Sequence, residues 1–215
     1  MLKRIPHTDL EIITGEQKTS DYLEMQKKMA RFYLPKFLKL LENQNRTGRF
    51  LEIGCGPGYQ TVQVAKKNPN SEIVALEPSS DMIRVAKSYS QLQSLNGQTT
   101  FVEGVVEDNR TIQSLGKFDL VYSTFSLHHW KDPQKAIQNL YDALKEEGVV
   151  LIFDFERHWL TYYLPTRKGI RESIHASYTP KDIISMMTSL NLKDFQVERH
   201  FPYLYFLLRK SNTTI

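Results

Sequence analysis

One acidic residue and three alternating glycines lie together in the short stretch 50–58. Glu52 comes two residues before Gly54, and Gly56 and Gly58 follow at every second position. Glycine permits the left-handed backbone of a tight turn and lets a ligand approach the main chain closely. A carboxylate beside such a loop repels a phosphate group and attracts an ammonium group. The stretch therefore predicts a site for a ligand with a cationic end.

A second acid, Glu77, follows the apolar run 73–76. A glycine loop after one strand and an acid at the tip of the next is how a parallel α/β sheet binds a ribose-bearing cofactor. The glycine spacing departs from the dinucleotide pattern, in which the third glycine comes three residues after the second. No Gly-Lys-Ser/Thr follows, which excludes a phosphate-binding P-loop. The expected ligand has a ribose and a positive charge but no phosphates.

The sequence around these residues alternates between strand and helix patterns. Predicted strands cover 50–54, 72–77, 99–102 (leading into a loop), 118–123 and 148–154, and predicted helices cover 59–67, 80–93 and 133–145. This alternation is typical of βαβ units, so we predict an α/β fold with a Rossmann-like, doubly wound, mostly parallel sheet. Thr179 and Pro180 are expected to open a further helix. The segments 195–201 and 203–209 are predicted to form a C-terminal antiparallel hairpin.

Residues 1–48 are expected to form an N-terminal helical extension. Its first 18 residues show no clear period, and Ser20 with Asp21 resembles a helix start. Pro35 is expected to break or restart the helix. The extension could cover the ligand as a lid or pack on the edge of the sheet. Residues 49–215 are expected to form the main domain, with an insert at 156–178 on the substrate side.

Composition and charge restrict the class of protein. The 215 residues suit one domain with appendages, and no apolar run approaches the roughly 18 residues of a membrane span. Cys55 is the only cysteine, so no intrachain disulfide is possible and a cytoplasmic location is expected. The two ends are basic and the centre is acidic, but no Lys/Arg block appears, which disfavours nucleic-acid binding.

Several motifs resemble those of class I S-adenosylmethionine-dependent methyltransferases. Glu52-x-Gly54-x-Gly56-x-Gly58, Glu77-Pro78-Ser79 and Phe118-Asp119-Leu120-Val121 are similar to that family's first, second and fourth motifs. Leu127-His128-His129-Trp130-x-Asp132-Pro133 resembles the small-molecule branch, which includes the ubiquinone/menaquinone C-methyltransferases and methyltransferase type 11-like proteins. The resemblance implies in-line methyl transfer from S-adenosyl-L-methionine to O, N, C or S of a small molecule, with S-adenosyl-L-homocysteine (SAH) as the product.

The resemblance also implies the cofactor contacts. Glu52 and the loop backbone would face the methionine portion, Glu77 would accept hydrogen bonds from both ribose hydroxyls, and Met82 would pack on the adenine unless it only fills the core. The implied positions are Glu52, Gly54, Cys55, Gly56, Gly58, Glu77, Pro78, Met82, Val106, Glu107, Ser123 and Thr124. Cys55 is interpreted as a small buried filler and not as a nucleophile. The family commonly has Gly-Asp-Ala after the third strand, whereas this chain has Val105 at the aspartate position. Glu107, Asp108 or a backbone carbonyl would then contact the adenine amino group.

His128 and His129 follow the fourth predicted strand, at the edge where open α/β sheets bind ligands. Either could act as a general base, or the pair could only fix the loop that caps the site. No metal site is expected, because adjacent histidines should point to different sides. The predicted substrate contacts are Tyr22, Tyr162, Tyr163, Arg167, His175 and Tyr178. The last five belong to the aromatic and basic insert, which could instead be a surface excursion.

Two alternative functions stay open. The basic ends could bind an RNA substrate, since the first 50 residues hold ten Lys and Arg against six Asp and Glu. The fold could also bind the cofactor without catalysis, as a sensor or subunit partner. No oligomeric state is predicted.

Overall fold

The computed structural model describes residues 2–7, 15–95, 97–163 and 165–210. The strands are β1 (Arg49–Ile53), β2 (Glu72–Glu77), β3 (Thr99–Glu103), β4 (Phe118–Thr124), β5 (Leu144–Phe155), β6 (Phe195–His200) and β7 (Tyr203–Arg209). These described strands form one sheet in the order β3-β2-β1-β4-β5-β7-β6. Strands β1 to β5 run parallel, whereas β7 is antiparallel to both β5 and β6. The predicted mostly parallel sheet with a C-terminal antiparallel hairpin is confirmed.

Helices cover both faces of the sheet. They are α1 (Glu16–Glu42), α2 (Tyr59–Lys67), α3 (Ser80–Leu92), α4 (Asn109–Ser114), α5 (Pro133–Asp142), α6 (Trp159–Tyr162), α7 (Lys168–Ala176) and α8 (Pro180–Ser189), with a 3₁₀ turn at Leu127–His129. Helices α1, α2 and α3 pack on one face, and α4, α5 and α8 pack on the other. Residues 73–76 of β2 and 149–153 of β5 are apolar without interruption and buried, as strands covered on both faces should be.

Helix α1 differs from its prediction. It begins at Glu16, before the predicted start at Ser20, and continues through Pro35 to Glu42. Proline removes one helical hydrogen bond and crowds the preceding turn, yet Pro35 is exposed while Tyr33, Leu34 and Phe37 are buried against the sheet. We attribute the unbroken helix to this packing, which outweighs the local cost of the proline.

Two segments next to strands also differ from their predictions. The predicted loop after β3 contains helix α4, whose first turn is capped by the Asp108 carboxylate accepting the Arg110 N–H at 3.1 Å. Helix α5 ends at Asp142 and not at the predicted residue 145. Strand β5 begins at Leu144, before the predicted residue 148, because Leu144 already pairs with Phe118 of β4; the register of the two strands shifts after this pair. Thr179 and Pro180 do open α8, where Thr179 forms a capping box with Asp182.

Residues 2–7, which we call the N-terminal strap, lie against the insert 156–178. The Ile5 N–H donates to the His175 carbonyl at 3.0 Å, and Arg4 Nε donates to the Ala176 carbonyl at 2.6 Å. The other part of the predicted irregular arm, residues 8–14, lies outside the described residues. Within the described ranges, no helix combines the length and apolarity needed to cross a bilayer.

Candidate active site

The glycine loop connects the end of β1 to the start of α2. Gly54, Gly56 and Gly58 have φ angles of 71°, 53° and 80°, a region that glycine enters without steric cost. A Cβ on Gly54 would lie 2.4 Å from Ser126 Oγ, and one on Gly58 would lie 2.8 Å from the nearest atom of α3. A Cβ on Gly56 would have its nearest contact at Tyr22, 3.8 Å away. Two glycines therefore allow close packing, and Gly56 lines an open cavity.

Glu77 ends β2 and lines the same cavity. Its Oε2 accepts the Gly56 N–H at 3.0 Å, and its Oε1 accepts the Ser79 N–H at 3.1 Å. A carboxylate offers about four acceptor positions, so each oxygen can accept one more hydrogen bond from a ligand hydroxyl. Burial raises the pKa of Glu77. The backbone thus orients a carboxylate toward the cavity, as a ribose contact requires.

Glu52 is 2% exposed and is not among the residues that line this cavity. Its Oε2 accepts the Tyr122 hydroxyl at 3.1 Å, and its Oε1 accepts Gln60 Nε2 at 3.3 Å. Burial raises the pKa of Glu52 to about 7. The described partners of this carboxyl are protein groups, and its contact with the methionine portion stays a prediction.

Three further predicted cofactor residues, like Gly58, do not line the cavity. Ser123 Oγ donates to the Ile53 carbonyl at 2.8 Å, and Thr124 Oγ1 donates to Gln60 Oε1 at 2.7 Å. Cys55 is buried, and its burial raises the thiol pKa well above the usual value. A buried, protonated thiol agrees with the interpretation of Cys55 as a filler.

Met82, Val106 and Glu107 line the cavity on the side of β2 and β3. Glu107 Oε1 accepts the Lys131 N–H at 2.8 Å. Asp108 instead caps α4 and is not a lining residue. Of the two acids that could replace the family aspartate, the structure places Glu107 at the cavity.

Another part of the wall comes from the segment after β4. Phe125, Ser126, His129 and Trp130 line the cavity there, and Tyr22 of α1 lines it as well. Trp130 Nε1 donates to Ser126 Oγ at 3.0 Å, and the Ser126 side chain lies directly beside Gly54 of the glycine loop. This hydrogen bond therefore fixes Trp130 relative to the glycine loop.

His128 and His129 lie on the 3₁₀ turn, with ring centroids 4.2 Å apart. His128 Nδ1 lies 2.7 Å from Asp154 Oδ1 and 3.0 Å from Oδ2. Because a carboxylate accepts hydrogen bonds, Nδ1 donates, and in the neutral imidazole Nε2 is then the acceptor nitrogen. The ring of His7 stacks on His129 with centroids 4.5 Å apart. The expectation that the two adjacent histidines point to different sides is wrong, because a 3₁₀ turn does not alternate successive side chains as a strand does.

A second cavity adjoins the first and shares His129 and Trp130 with it. Its other lining residues are Arg4, Pro6, His7, His128 and Lys131. Burial, followed by the neighbouring His128 and His7, lowers the pKa of His129 to about 3. His129 is therefore neutral near physiological pH.

The five predicted substrate residues of the insert do not line either cavity. Outside both cavities are Tyr162, Tyr163, Arg167, His175 and Tyr178. Tyr162 stacks on His175 with centroids 3.9 Å apart, and Tyr178 lies under the Arg4 guanidinium at 4.1 Å. These contacts hold the strap and the insert together, and a substrate role for the five residues stays a prediction.

About half of the residues that line the first cavity were predicted from the sequence as site residues. Predicted cofactor residues that line it are Gly54, Gly56, Glu77, Pro78, Met82, Val106 and Glu107. Tyr22 and His129, predicted as a substrate contact and a candidate base, line it too, and the lining residues not predicted as site residues are Ile53, Leu76, Gly104, Val105, Phe125, Ser126 and Trp130. All of these follow or end one of the strands β1 to β4, so the rule that α/β sheets bind ligands at the carboxyl ends of strands could have found them.

The cavity suits a nucleoside cofactor without phosphates. Glu77 offers acceptors for ribose hydroxyls, Leu76, Met82 and Val106 offer apolar surface for a base, and Gly56 leaves space beside the backbone. No Lys or Arg side chain lines this cavity among the described residues, so nothing there would neutralise a pyrophosphate.

The sequence matches a family model and several known proteins. A family described as "Methyltransferase domain" matches residues 25–197. Malonyl-[acyl-carrier protein] O-methyltransferase 1 of Ilyobacter polytropus is 25% identical over 189 residues, covering 85% of this chain and 64% of that protein. The trans-aconitate 2-methyltransferase of Deinococcus radiodurans is 28% identical over 125 residues, covering 58% of this chain and 45% of that protein. The chain spans about half the length of the first curated relatives it matches.

Solved structures show the same fold. A putative S-adenosyl-L-methionine-dependent methyltransferase from Methanococcus maripaludis superposes with a TM-score of 0.74 at 18% identity, covering 97% of this chain and 99% of that one. The plantazolicin methyltransferase BamL, solved with SAH, gives a TM-score of 0.72 at 15% identity, covering 91% of both chains.

The fold is that of a class I S-adenosylmethionine-dependent methyltransferase. The chain belongs to the methyltransferase-domain family, and S-adenosylmethionine is its cofactor, as the motifs predicted.

Proposed function

We propose that this protein transfers the methyl group of S-adenosylmethionine to a small-molecule acceptor by in-line displacement. The observation that carries the proposal is the pair of adjoining cavities that share His129 and Trp130. The first cavity contains Glu77 and the glycine loop, and the second has a different, polar and basic lining. An acceptor in the second cavity would therefore lie next to the cofactor in the first.

The chain's part in this reaction is positioning. S-adenosylmethionine supplies a methyl group on an activated sulfonium, so the protein must orient two reactants and exclude water. Glu77 and the loop at Gly56 orient one reactant. Trp130, which lines both cavities, and Phe125, which lines the first, contribute apolar surface that excludes water from the space between the reactants.

We further propose that the acceptor carries a carboxylate and is methylated on oxygen. Arg4 and Lys131 line the second cavity, and no Asp or Glu lines it among the described residues. The malonyl and aconitate groups named for two relatives also carry carboxylates. A carboxylate is ionised at neutral pH and needs no general base. This agrees with His129, whose pKa of about 3 makes it a weak base.

Cofactor binding is tested by titrating the protein with SAH in a calorimeter and in a thermal melt. Gly56→Arg fills the space beside the loop and is expected to abolish both the heat and the melting shift. Gly97→Arg is the matched control, because a Cβ there meets nothing within 4 Å, and it is expected to bind as the wild type does. An unshifted wild-type melt at millimolar SAH contradicts the proposal.

The acceptor is tested with methyl-labelled cofactor and a panel of small carboxylic acids, a metabolite extract and RNA. A methyl ester product is expected, from which mild base releases the label as methanol. Base-stable label in RNA would favour the RNA alternative. SAH binding without any labelled product would favour a non-catalytic cofactor-binding protein.

A further inference from the structure

We propose that His7, His128 and His129 form a binding site for one divalent transition metal ion, best suited to zinc. The three side chains come from two distant parts of the chain, the N-terminal strap and the 3₁₀ turn after β4. One ring nitrogen of each lies within 4.8 Å of a ring nitrogen of each of the others. Imidazole nitrogens are ligands that zinc, copper, iron and nickel accept readily.

His128 has the surroundings of a metal-ligating histidine. Its Nδ1 donates to Asp154, whose Oδ1 also accepts the Phe155 N–H at 2.7 Å, so the carboxylate is itself fixed. His128 is 2% exposed, and its Nε2 has no hydrogen-bond partner among the described residues. Metal-ligating histidines usually donate their other ring N–H to such a carboxylate, which fixes the tautomer and raises the basicity of the ligating nitrogen.

A bound ion would remove an energetic cost at this position. A buried acceptor nitrogen without a partner loses its hydration and gains nothing in return. His129 and His7 surround it with two further imidazoles, their ring centroids 4.2 Å and 5.8 Å from that of His128. A cation coordinated by all three rings would satisfy the buried Nε2.

The rings need only a small movement to reach coordination distance. Zn–N bonds of about 2.0–2.1 Å in a tetrahedron place the nitrogens roughly 3.4 Å apart. The nitrogens lie within 4.8 Å of one another, so each pair has to close by at most about 1.4 Å. The ring of His7 lies on the strap, which is tied to the insert by a few hydrogen bonds and is not part of the sheet.

Charge around the cluster indicates what would complete the coordination. Asp154 supplies one negative charge behind His128, whereas Arg4 and Lys131 line the cavity in front of the rings. Three protein ligands with one open position are the arrangement of catalytic zinc sites. In this basic cavity, an anion such as a carboxylate is the expected fourth ligand. The metal proposal does not depend on which molecule is methylated.

The proposal is tested on the full chain after it is stripped with a chelator and dialysed. Zinc titration is expected to give one site per chain, and Co²⁺ loading is expected to give the visible d–d absorption of a tetrahedral site. Asp154→Asn is expected to weaken zinc binding roughly 10- to 100-fold. His7→Ala removes a ligand outside the sheet, keeps the fold, and is expected to weaken binding by more than Asp154→Asn.

His200→Ala is the matched control, because His200 is an exposed histidine on β6, and it is expected to bind zinc as the wild type does. Wild-type protein without a stoichiometric site, or equal zinc binding by His7→Ala and His200→Ala, would overturn the proposal. SAH titration of the same samples separates the two hypotheses. Intact SAH binding without zinc overturns only the metal site, and zinc binding without SAH binding counts only against the proposed function.

Discussion

At the scale of single residues, two carboxyls beside the glycine loop have different surroundings. Glu77 accepts two backbone N–H groups, and these hydrogen bonds oppose the effect of its burial on its pKa. Glu52 accepts hydrogen bonds from Tyr122 and Gln60 and is almost completely buried, and its pKa rises to about 7. Glu77 is thus oriented for a ligand, whereas Glu52 links the loop to β4 and α2.

Glu52 predicts a pH dependence of stability in the cofactor-free protein. The folded-state pKa of about 7 lies above the ordinary value of 4.5, so between these values the folded state holds more protons than the unfolded state. The free energy of unfolding therefore falls as pH rises from about 4.5 to 7, by about 3 kcal/mol at most. In Glu52→Gln this fall is expected to shrink to the smaller part that the raised pKa of Glu77 contributes, as measured by urea denaturation at several pH values.

Glu103→Gln is the control for that experiment, because Glu103 is exposed at the end of β3. Its stability is expected to follow the wild-type pH dependence. If the wild-type and Glu52→Gln curves ran parallel between pH 5 and 8, the raised pKa of Glu52 would be wrong.

At the scale of elements, α1 shows packing that overrides a local preference. Pro35 lies inside this helix and is exposed, and the buried neighbours Tyr33 and Phe37 keep the helix on the sheet. Proline in a helix interior costs about 3 kcal/mol, and its stiffening of the unfolded chain returns about 0.4–1 kcal/mol. Pro35→Ala is therefore expected to raise the free energy of unfolding by about 2 kcal/mol in urea denaturation.

Pro180→Ala is the matched control, because Pro180 is the first residue of α8, where proline has no N–H to lose from the helix. This variant is expected to be neutral or slightly less stable. If Pro35→Ala were no more stable than the wild type, the expected cost of the proline inside α1 would be wrong.

Some of these elements could be predicted from the sequence, and others could not. The strands, the α8 capping residue Thr179 and the acid Glu77 follow from local patterns, and the structure has them near their predicted positions. Helix α4 was missed because its six residues are too few to show a period. The second cavity was missed because it needs Arg4 and His7 beside Lys131, and no local pattern reports contacts between residues so distant in sequence.

At the scale of the whole molecule, the strap joins the insert to the rest of the fold. Arg157 donates to the Leu2 carbonyl and to Asp182 Oδ2, the latter at 2.6 Å, and Tyr162 donates to the Lys3 carbonyl at 3.3 Å. Asp182 also closes the capping box of α8. The strap, the insert and α8 are therefore connected by one set of polar contacts, which also holds Arg4 and His7 at the second cavity.

Removal of residues 1–7 is expected to loosen the insert while the sheet stays intact. Each lost hydrogen bond contributes about 0.5–1.5 kcal/mol, so amide exchange in α7 is expected to be roughly 10- to 100-fold faster by mass spectrometry. Lys3→Ala is the matched control, because the backbone carbonyl of Lys3 accepts the Tyr162 hydroxyl and survives the substitution. The hairpin of β6 and β7 serves as an internal reference in both proteins. Unchanged exchange in α7 after the truncation would mean that the insert is held by its own packing, and acceptor binding would then have to be explained without the strap.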